Sequence, residues 1–323
     1  MAAQPAYSAD AVTPLALALR GAGYAGRLRE DASFAGLTTY RLGGPIELLV
    51  LPDQLTDFPH IGSMLTTAGC PLFFLGGGTN LLASSRQFDG LVVQLGPGFN
   101  RIVRQGDRLT IGGATQTAHL LKACITEQMG GLEMLAGVPG TLGGAVAMNA
   151  GTMKDWLERS VIEVVALRPD WTVVRLTPAE CGFRYRGSRL LDERWRVLEA
   201  TFAVTPGVDS GPHVREHLAM RRRTQPGGRN AGSNFKNPPG GSAGALIDQA
   251  GCKGWREGGA VVSELHANFI QAEVGCTPED VYTLMQRVAR QVEQIHGIRL
   301  DPEVACLNFP TPWSATWDPA VAS

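Results

Sequence analysis

The chain contains 323 residues, of which 44% are hydrophobic and 18% charged, and its 29 Lys and Arg residues nearly balance 30 Asp and Glu residues. This length is typical of about two domains, each with a core of its own. The near-zero net charge argues against nucleic acid as the main partner, because binding the phosphate backbone requires a surplus of basic residues.

The chain carries no signal for secretion or for membrane insertion. Residues 1–12 have no basic residue ahead of an apolar run, and the apolar runs are far shorter than the ~20 residues that a membrane helix needs. Six cysteines are scattered without a C-x-x-C pair, which is typical of reduced thiols. We therefore expect a cytoplasmic protein that does not bind membranes.

Short apolar runs punctuated by glycine and proline predict strands in the first two thirds of the chain. These runs are residues 46–51, 72–75, 91–95, 161–167, 173–176 and 197–204. One helix is predicted among them near residues 115–129, where apolar residues recur at helical spacing. Residues 1–30 hold only a weak helical stretch and are treated as an N-terminal extension. The pattern favours a mixed region of helices and strands at residues 31–206.

A turn-rich stretch at residues 205–212 predicts a linker to a second domain. A basic helical segment follows to Arg223, and then a glycine-rich segment at residues 226–259. We place this domain at residues 207–309, followed by a tail at residues 310–323.

The strongest helix signal lies near the end of the chain. Thr277 supplies an N-cap, Pro278 occupies the first position, acidic residues fill the first turn, and Gly297 ends the helix. Apolar residues mark one face, which predicts a surface helix that covers a sheet. Residues 298–300 and 304–307 are predicted as short extended pieces.

Three consecutive glycines follow the predicted strand at residues 72–75, in the run Gly-Gly-Gly-Thr-Asn-Leu at residues 76–81. Without Cβ atoms the backbone can approach a ligand closely, and successive N–H groups can bind an anion. The run is not the dinucleotide fingerprint G-x-G-x-x-G, because Leu81 stands where its third glycine would be. A plain tight turn is the alternative.

A second glycine-rich segment spans residues 131–151 and contains one charged residue, Glu133. It is too apolar for a solvated loop and too rich in glycine for a stable helix or strand interior. We therefore expect it to lie buried against a large flat ligand, such as a diphosphate joined to an aromatic ring system, with backbone donors serving the phosphates. A structural crossing of tight turns is the alternative.

Two polar motifs can present functional side chains. Arg184 and Arg186 flank a tyrosine, and in an extended segment both would point to the same side. Ser233, Lys236 and Asn237 lie close together and can present a hydroxyl, an ammonium and an amide to a polar ligand. A solvated strand edge and an ordinary turn are the respective alternatives.

Two other patterns do not support a function. Residues 240–244 match G-x-S-x-G, but Asn237-Pro-Pro precedes them, whereas a nucleophile elbow requires an apolar strand there. His213 and His217 have i,i+4 spacing but lack the acid of H-E-x-x-H. We predict neither a hydrolase nor a metal site.

The order of these motifs resembles the UDP-N-acetylenolpyruvoylglucosamine reductase family, FAD enzymes that make UDP-N-acetylmuramic acid for peptidoglycan and thus for the cell wall. Five segments carry the resemblance: Thr-Thr-Tyr-Arg-Leu-Gly-Gly-Pro at residues 38–45, Leu-Gly-Gly-Gly-Thr-Asn-Leu-Leu at 75–82, Gly-Val-Pro-Gly-Thr-Leu-Gly-Gly-Ala at 137–145 with Met-Asn-Ala-Gly at 148–151, Tyr-Arg-Gly-Ser at 185–188, and Gly-Ser-Asn-Phe-Lys-Asn-Pro at 232–238 with Leu-Asp-Pro-Glu-Val at 300–304.

The resemblance implies an α+β fold with two parts. Residues 31–206 would form a FAD-binding region of the vanillyl-alcohol-oxidase (PCMH) type with two subdomains, and the C-terminal α+β domain would bind the substrate. No extra tyrosine-bearing loop follows Tyr185, which indicates the shorter type of the family. The partners implied are a UDP-sugar and NADPH, and we expect a monomer.

The resemblance also implies which residues contact FAD. They come from the two glycine-rich loops and from one arginine of the basic segment: Gly76, Gly77, Gly78, Thr79, Asn80, Leu81, Gly137, Pro139, Gly140, Gly143, Gly144, Ala145, Val146 and Arg221. Thr224 stands where many members carry lysine, so the basic group that meets the diphosphate could be Arg221, Arg222 or Arg223.

The family reaction gives roles to three further residues. Hydride from FAD, itself reduced by NADPH, adds to the enolpyruvyl double bond and leaves an enolate, which needs fixed positive charge and a proton. Arg186 is similar to the arginine that polarises the substrate carboxylate, Glu303 to its partner acid, and Ser233 to the proton donor. The residues that resemble substrate contacts are Tyr185, Lys236 and Asn237.

Two other functions are open at this point. A FAD-dependent sugar or alcohol oxidase of the same fold would not need Ser233 together with Glu303, and such enzymes often carry a flavin-tethering His or Cys where this chain has Thr79 and Asn80. A non-catalytic nucleotide-binding relative would not need to keep the arginine, the serine and the glutamate.

Overall fold

The computed structural model describes residues 13–151, 155–311 and 313. Residues 1–12 of the predicted N-terminal extension, and residues 312 and 314–323 of the predicted tail, lie outside the described residues.

Helices and strands are interspersed along the described chain. The helices are α1 (Pro14–Gly21), α2 (Phe34–Leu37), α3 (Phe58–Ala68), α4 (Thr117–Thr126), α5 (Leu142–Ala147), α6 (Pro178–Cys181), α7 (Arg189–Asp192), α8 (Gly211–Thr224), α9 (Ala243–Gln249) and α10 (Pro278–His296). The strands are β1 (Arg27–Arg29), β2 (Ile46–Leu51), β3 (Leu72–Phe74), β4 (Leu81–Ala83), β5 (Phe88–Val93), β6 (Ile102–Gln105), β7 (Arg108–Gly112), β8 (Met129–Gly130), β9 (Val161–Leu167), β10 (Val173–Leu176), β11 (Arg196–Ala203), β12 (Thr205–Pro206), β13 (Arg256–Glu257), β14 (Ala260–Val262), β15 (Ile270–Ala272) and β16 (Ala305–Leu307). The six strands predicted in the first two thirds of the chain and the helix near residues 115–129 are confirmed, with bounds that differ by a few residues.

A four-stranded sheet has the order β1-β2-β5-β3, and its two central strands are largely buried on both faces. Strands β2, β5 and β3 are parallel, and β1 runs antiparallel to β2. Leu48 and Val50 belong to the core cluster that includes residues of α1 and α3, whereas Ile46 and Leu49 pack on the other face with Phe34. Burial on both faces explains why β2 is a nearly continuous apolar run. The first glycine-rich loop begins where β3 ends.

A five-stranded antiparallel sheet with the order β10-β9-β11-β7-β6 forms the next layer. Helices α4 and α5 bury Leu120, Leu142 and Val146 in the core on this sheet. Helix α5 corrects the expectation that the segment at residues 131–151 is too rich in glycine for a helix. A Cβ on Gly143 would lie 3.1 Å from the carbonyl oxygen of Val197 in β11 and 3.1 Å from that of Gly113, directly after β7, so the glycine lets the helix pack closely against the sheet.

The C-terminal part contains the small antiparallel sheet β13-β14-β15, which α10 covers. The predicted capping box is present: the Thr277 hydroxyl accepts the Asp280 N–H at 3.1 Å, and the Asp280 carboxylate accepts the Thr277 N–H at 2.9 Å. Gly297, at φ 66°, ends the helix as predicted. Strand β16 returns to pair in parallel with β4, directly after the first glycine-rich loop.

Two local predictions are wrong. The expected linker at residues 205–212 is partly ordered structure, because β12 pairs with β8 and α8 begins at Gly211. Residues 298–300 form no strand, although β16 confirms the extended piece that follows. No described helix combines the length and hydrophobicity needed to span a lipid bilayer.

Candidate active site

The first glycine-rich loop, residues 76–80, joins β3 to β4 and exposes backbone donors. The Gly76 carbonyl accepts a hydrogen bond from the Gln94 amide at 2.8 Å, and a Cβ on Gly78 would overlap a neighbouring backbone carbonyl. Within the part of the chain that the structure describes, no group accepts a hydrogen bond from the backbone N–H of Gly76, Gly77 or Gly78. Successive unpaired N–H groups form a site for an anion.

The second glycine-rich loop, residues 137–146, lies directly against the first. A Cβ on Gly77 would lie 2.8 Å from the Cα of Gly140, and the Thr79 hydroxyl donates to the Pro139 carbonyl at 3.4 Å. The two loops that the sequence assigned to one cofactor therefore meet, although the hydrogen-bonded residues are 60 positions apart.

Not every predicted cofactor residue presents its side chain to this region. Leu81, Ala145 and Val146 belong to the apolar core clusters. Only their backbone atoms can face a ligand.

Arg221 extends from α8 over the second loop at Gly137, where a Cβ would overlap its side chain. Burial, together with repulsion from Arg186, lowers the pKa of Arg221. Arg222 and Arg223 are exposed. The structure therefore brings Arg221 to the site, and its crowding with Arg186 favours an anionic ligand there.

A cavity of about 430 Å³ opens between the two large sheets, beside both loops. Its lining includes Gly76, Gly143, Phe74, Met148 and Arg196. Unpaired backbone donors next to a cavity of this size fit a large ligand that carries phosphate groups.

Arg186 and Glu303 form the charged pair of the site. Their Nε and Oε1 atoms are 4.0 Å apart, and the Glu303 side chain is 22% exposed. Burial raises the pKa of the Glu303 carboxyl, and the charges of Arg186 and Lys236 lower it in part. The Glu303 carbonyl accepts a hydrogen bond from the Asn80 amide at 3.0 Å, which fixes this residue at the end of the first glycine-rich loop.

Ser233 lies in the segment that runs beside Glu303. The carbonyl of its neighbour Asn234 accepts the Glu303 N–H at 2.8 Å, and the Asn234 N–H donates to the Asn268 carbonyl at 2.8 Å. Ser233 itself is half-buried, and no described residue is hydrogen-bonded to its hydroxyl. The structure thus places this segment, Glu303 and the first glycine-rich loop side by side, with a serine hydroxyl free to meet a ligand.

The motif that contains Arg186 is a tight turn, which corrects the expectation that Arg184 and Arg186 point to the same side. The backbones of Arg184 and Gly187 are hydrogen-bonded to each other, and Arg186 has a positive φ of 55°. Arg184 pairs with Asp192 at 2.5 Å, whereas Arg186 extends towards Glu303. Only one of the two arginines therefore belongs to the site.

Asn149, predicted from the sequence only as part of the Met-Asn-Ala-Gly segment at residues 148–151 and not as a site residue, supports this turn. Its buried amide donates to the Arg184 carbonyl at 3.2 Å and to the Glu158 carboxylate at 2.9 Å. Tyr185, at the tip of the turn, is 61% exposed and packs edge-on against Trp156.

The remaining predicted substrate contacts lie at the rim. Lys236 and Asn237 are exposed, and the Asn237 amide oxygen already accepts the Ala243 N–H at 3.0 Å. The serine of the G-x-S-x-G match, Ser242, is the N-cap of α9 and accepts the Ala245 N–H at 3.4 Å. An N-cap role accounts for this serine without any hydrolase function.

Comparisons with known proteins identify the family of the chain. Residues 46–177 match the family model described as FAD binding domain, and residues 224–307 match that described as UDP-N-acetylenolpyruvoylglucosamine reductase, C-terminal domain. An α+β fold of the FAD-binding type, with a charged pair at the end of a glycine-rich loop, defines an FAD-dependent oxidoreductase. The chain belongs to the UDP-N-acetylenolpyruvoylglucosamine reductase family.

Individual relatives cover nearly the whole chain. UDP-N-acetylenolpyruvoylglucosamine reductase 2 of Symbiobacterium thermophilum is 40% identical over 294 residues, which is 89% of this chain and 94% of that protein. The Moorella thermoacetica reductase is 40% identical over 83% of this chain and 89% of its own length. The crystal structure of the Thermus caldophilus reductase superposes with a TM-score of 0.73 at 29% identity and covers 87% of this chain and 99% of that one. The predicted family and fold class are confirmed.

Proposed function

We propose that the protein uses NADPH to reduce the enolpyruvyl group of UDP-N-acetylglucosamine enolpyruvate to the lactyl ether of UDP-N-acetylmuramate, a step of peptidoglycan synthesis. The observation that carries this proposal is the placement of Arg186 and Glu303 beside the Ser233 segment, at the end of a glycine-rich loop. When bound, FAD supplies the hydride.

The two glycine-rich loops are the proposed FAD site. The unpaired N–H groups of Gly76, Gly77 and Gly78 can donate to the diphosphate, and Arg221 adds a positive charge next to the second loop. The close contact between the loops lets them present one continuous surface to the cofactor.

The negative charge that forms on the substrate during the reaction explains the proposed roles of Arg186 and Glu303. Reduction of the enolpyruvyl group leaves an enolate, and a fixed guanidinium stabilises such a charge strongly where water is excluded. Arg186 is the proposed partner of the substrate carboxylate, and its Nε lies 4.0 Å from Oε1 of Glu303. A raised pKa keeps Glu303 protonated to higher pH than an ordinary glutamate, so it can hold a proton beside the arginine.

Ser233 is the proposed proton donor to the α-carbon of that enolate. A serine hydroxyl is a weak acid in water, so the transfer requires a strongly basic enolate and neighbours that stabilise the alkoxide left behind. Arg186 and Lys236 are cations near this segment, since the charges of both lower the pKa of the neighbouring Glu303 carboxyl. Lys236, Asn237 and Tyr185 at the rim are the proposed contacts to the UDP-sugar.

The test separates the two half-reactions in the Ser233→Ala variant. We expect NADPH to reduce bound FAD at nearly the wild-type rate, because the hydroxyl takes no part in that step. Reoxidation by UDP-N-acetylglucosamine enolpyruvate should slow by ~10²–10⁴-fold, the usual contribution of a general acid. Stopped-flow absorbance of the flavin measures both rates.

Ser242→Ala is the matched control, because it removes a serine hydroxyl of the same domain that only caps α9. It should cost about 1 kcal/mol of stability and leave both half-reactions unchanged. If Ser233→Ala slowed both half-reactions equally, the result would contradict the role of Ser233 as proton donor. Reoxidation of the wild-type flavin by oxygen but not by the enolpyruvate substrate would instead show a sugar or alcohol oxidase.

A further inference from the structure

A compact loop at residues 226–232 leads into the segment of the proposed proton donor and is fastened to β15. The Arg229 Nε donates to the Ala272 carbonyl at 3.0 Å, and the Ala272 N–H donates to the Arg229 carbonyl at 2.9 Å. The Gln271 amide donates to the Gly227 carbonyl at 3.0 Å. These contacts hold the middle of the loop on the edge of the small C-terminal sheet.

The half-buried side chain of Asn230 bridges the two ends of this loop. Its Nδ2 atom faces three backbone carbonyl oxygens, each at 3.3 Å, which belong to Pro226, Gly227 and Gly228. Its Oδ1 atom accepts the N–H of Gly232 at 3.0 Å. One amide therefore joins the start of the loop to its last residue.

Gly232 is the point of the loop at which such a restraint matters most. Its φ is 79°, and glycine adopts positive and negative φ about equally, so the residue type does not fix the conformation. A Cβ added there would meet no atom of the described residues within 4 Å, so packing gives little restraint. The hydrogen bond from its N–H to the Asn230 oxygen is therefore a contact that fixes its conformation.

The conformation of Gly232 sets the position of Ser233. No residue that the structure describes is hydrogen-bonded to the Ser233 N–H or hydroxyl, so the serine is held through its two neighbours. On one side the Asn234 N–H donates to the Asn268 carbonyl at 2.8 Å, and on the other the Asn230 amide holds Gly232. A proton donor needs this precision, since a displacement of about 1 Å can cost ~10²-fold in rate.

We propose that Asn230 is a positioning residue, which acts through Ser233 by fixing the backbone that carries its hydroxyl. The inference rests on the proposed role of Ser233 as proton donor, and it assigns Asn230 no contact with the substrate. A residue that only closed the loop would affect folding and both half-reactions alike. A residue that acts through Ser233 affects the reoxidation of the flavin by the enolpyruvate substrate.

The test is a double-mutant cycle of Asn230→Ala and Ser233→Ala, in which stopped-flow absorbance of the flavin follows both half-reactions. Asn230→Ala should slow reoxidation by UDP-N-acetylglucosamine enolpyruvate ~10–100-fold, because the hydroxyl is then misplaced. Reduction by NADPH should stay near the wild-type rate. In the Ser233→Ala background the same substitution should slow reoxidation by less than about threefold further, because residues that act as a unit are not additive.

Asn230→Asp separates the folding of the loop from the position of the serine. A carboxylate oxygen can still accept the Gly232 N–H, whereas the donors to the three carbonyls are lost. We expect a lower melting temperature than wild type but faster reoxidation than in Asn230→Ala.

Asp170→Ala is the matched control, because it removes the same kind of hydrogen bond far along the chain from the serine. The Asp170 Oδ1 atom accepts the N–H of Thr172, two residues on, at 3.0 Å in the exposed turn between β9 and β10. The variant should lower stability and leave both half-reactions unchanged.

Three outcomes would overturn the positioning role: unchanged reoxidation in Asn230→Ala, full additivity of Asn230→Ala with Ser233→Ala, or an Asn230→Asp protein no faster than Asn230→Ala. Failure of the proposed function would look different. Ser233→Ala alone would then reoxidise as fast as wild type, or slow both half-reactions equally, and the inference would fall with the proton donor.

Discussion

Glu303 has a largely buried side chain and two cationic neighbours. Burial and the neighbouring charges shift the pKa of its carboxyl in opposite directions. Burial raises its pKa, and Arg186 and Lys236 lower it less than burial raises it. A carboxyl whose pKa is higher in the folded than in the unfolded state binds protons more tightly when folded. Its charge therefore reduces stability above the folded pKa, and this cost disappears as the pH falls below the unfolded value. This loss of stability is the consequence of keeping the Glu303 carboxyl buried next to Arg186.

Glu303→Gln tests this balance at the residue scale. At pH 8 the variant should melt at a higher temperature than wild-type apoprotein, because an amide removes the desolvated charge. The difference should shrink towards zero as the pH falls to the ordinary glutamate range near 4.5, where the wild-type carboxyl also becomes neutral. Thermal unfolding across this pH range measures it, and turnover should fall in the same variant.

The control for that measurement is Glu163→Gln, which removes an exposed carboxylate paired with Arg175. An exposed pair contributes ~0–1 kcal/mol, so the melting temperature should change little at any pH. A Glu303→Gln protein that is less stable than wild type at pH 8 would show that pairing with Arg186 outweighs burial.

At the scale of elements, the site depends on the contact between two glycine-rich loops. Gly77 has no unusual φ, so its role is to leave space: an added methyl group would lie 2.8 Å from the Cα of Gly140 and 3.2 Å from the N of Thr141. Both neighbours are backbone atoms, which move only if a loop moves. The absence of a side chain at this point therefore sets the distance between the loops.

Gly77→Ala should accordingly force the loops apart and weaken FAD binding by ~10-fold or more, since in the proposed FAD site the donors of both loops reach one diphosphate. Equilibrium dialysis of the flavin measures the effect. Gly21→Ala is the control, because a Cβ on that helical residue meets no atom within 4 Å. An unchanged FAD affinity in Gly77→Ala would mean that the loops do not bind the cofactor jointly.

Local patterns predict elements well where one physical signal dominates. The strands between glycines and prolines, and α10 with its N-cap and C-terminal glycine, follow from burial and capping alone. The turn at Arg184–Gly187 could not be predicted, because Arg186 takes a positive φ that its residue type does not favour. The surrounding structure, including the Asn149 amide, holds that turn. Helix α5 likewise depends on tertiary packing that overrides the low helix propensity of glycine.

At the scale of the whole molecule, the C-terminal part docks on the FAD-binding part through a buried polar contact. The Tyr40 hydroxyl lies 3.1 Å from the Asn234 amide oxygen and 3.1 Å from the Ile270 carbonyl. Asn234 stands 194 positions after Tyr40, so no local pattern pairs the two residues. The same asparagine is the neighbour of Ser233 and accepts the Glu303 N–H. Docking of the two parts and placement of the proposed proton donor are thereby coupled.

Tyr40→Phe should reveal this coupling. Loss of the hydroxyl leaves buried acceptors unsatisfied, which should lower the free energy of unfolding by ~1–3 kcal/mol. Because the Ser233 segment then loses one of its contacts with the N-terminal part, reoxidation of the flavin by the enolpyruvate substrate should slow more than its reduction by NADPH. Tyr282→Phe is the matched control, since that hydroxyl donates to the Thr311 carbonyl at 2.7 Å, away from the paired loops. It should lower stability and keep the ratio of the two rates; the same ratio in both variants would show that Tyr40 contributes stability alone.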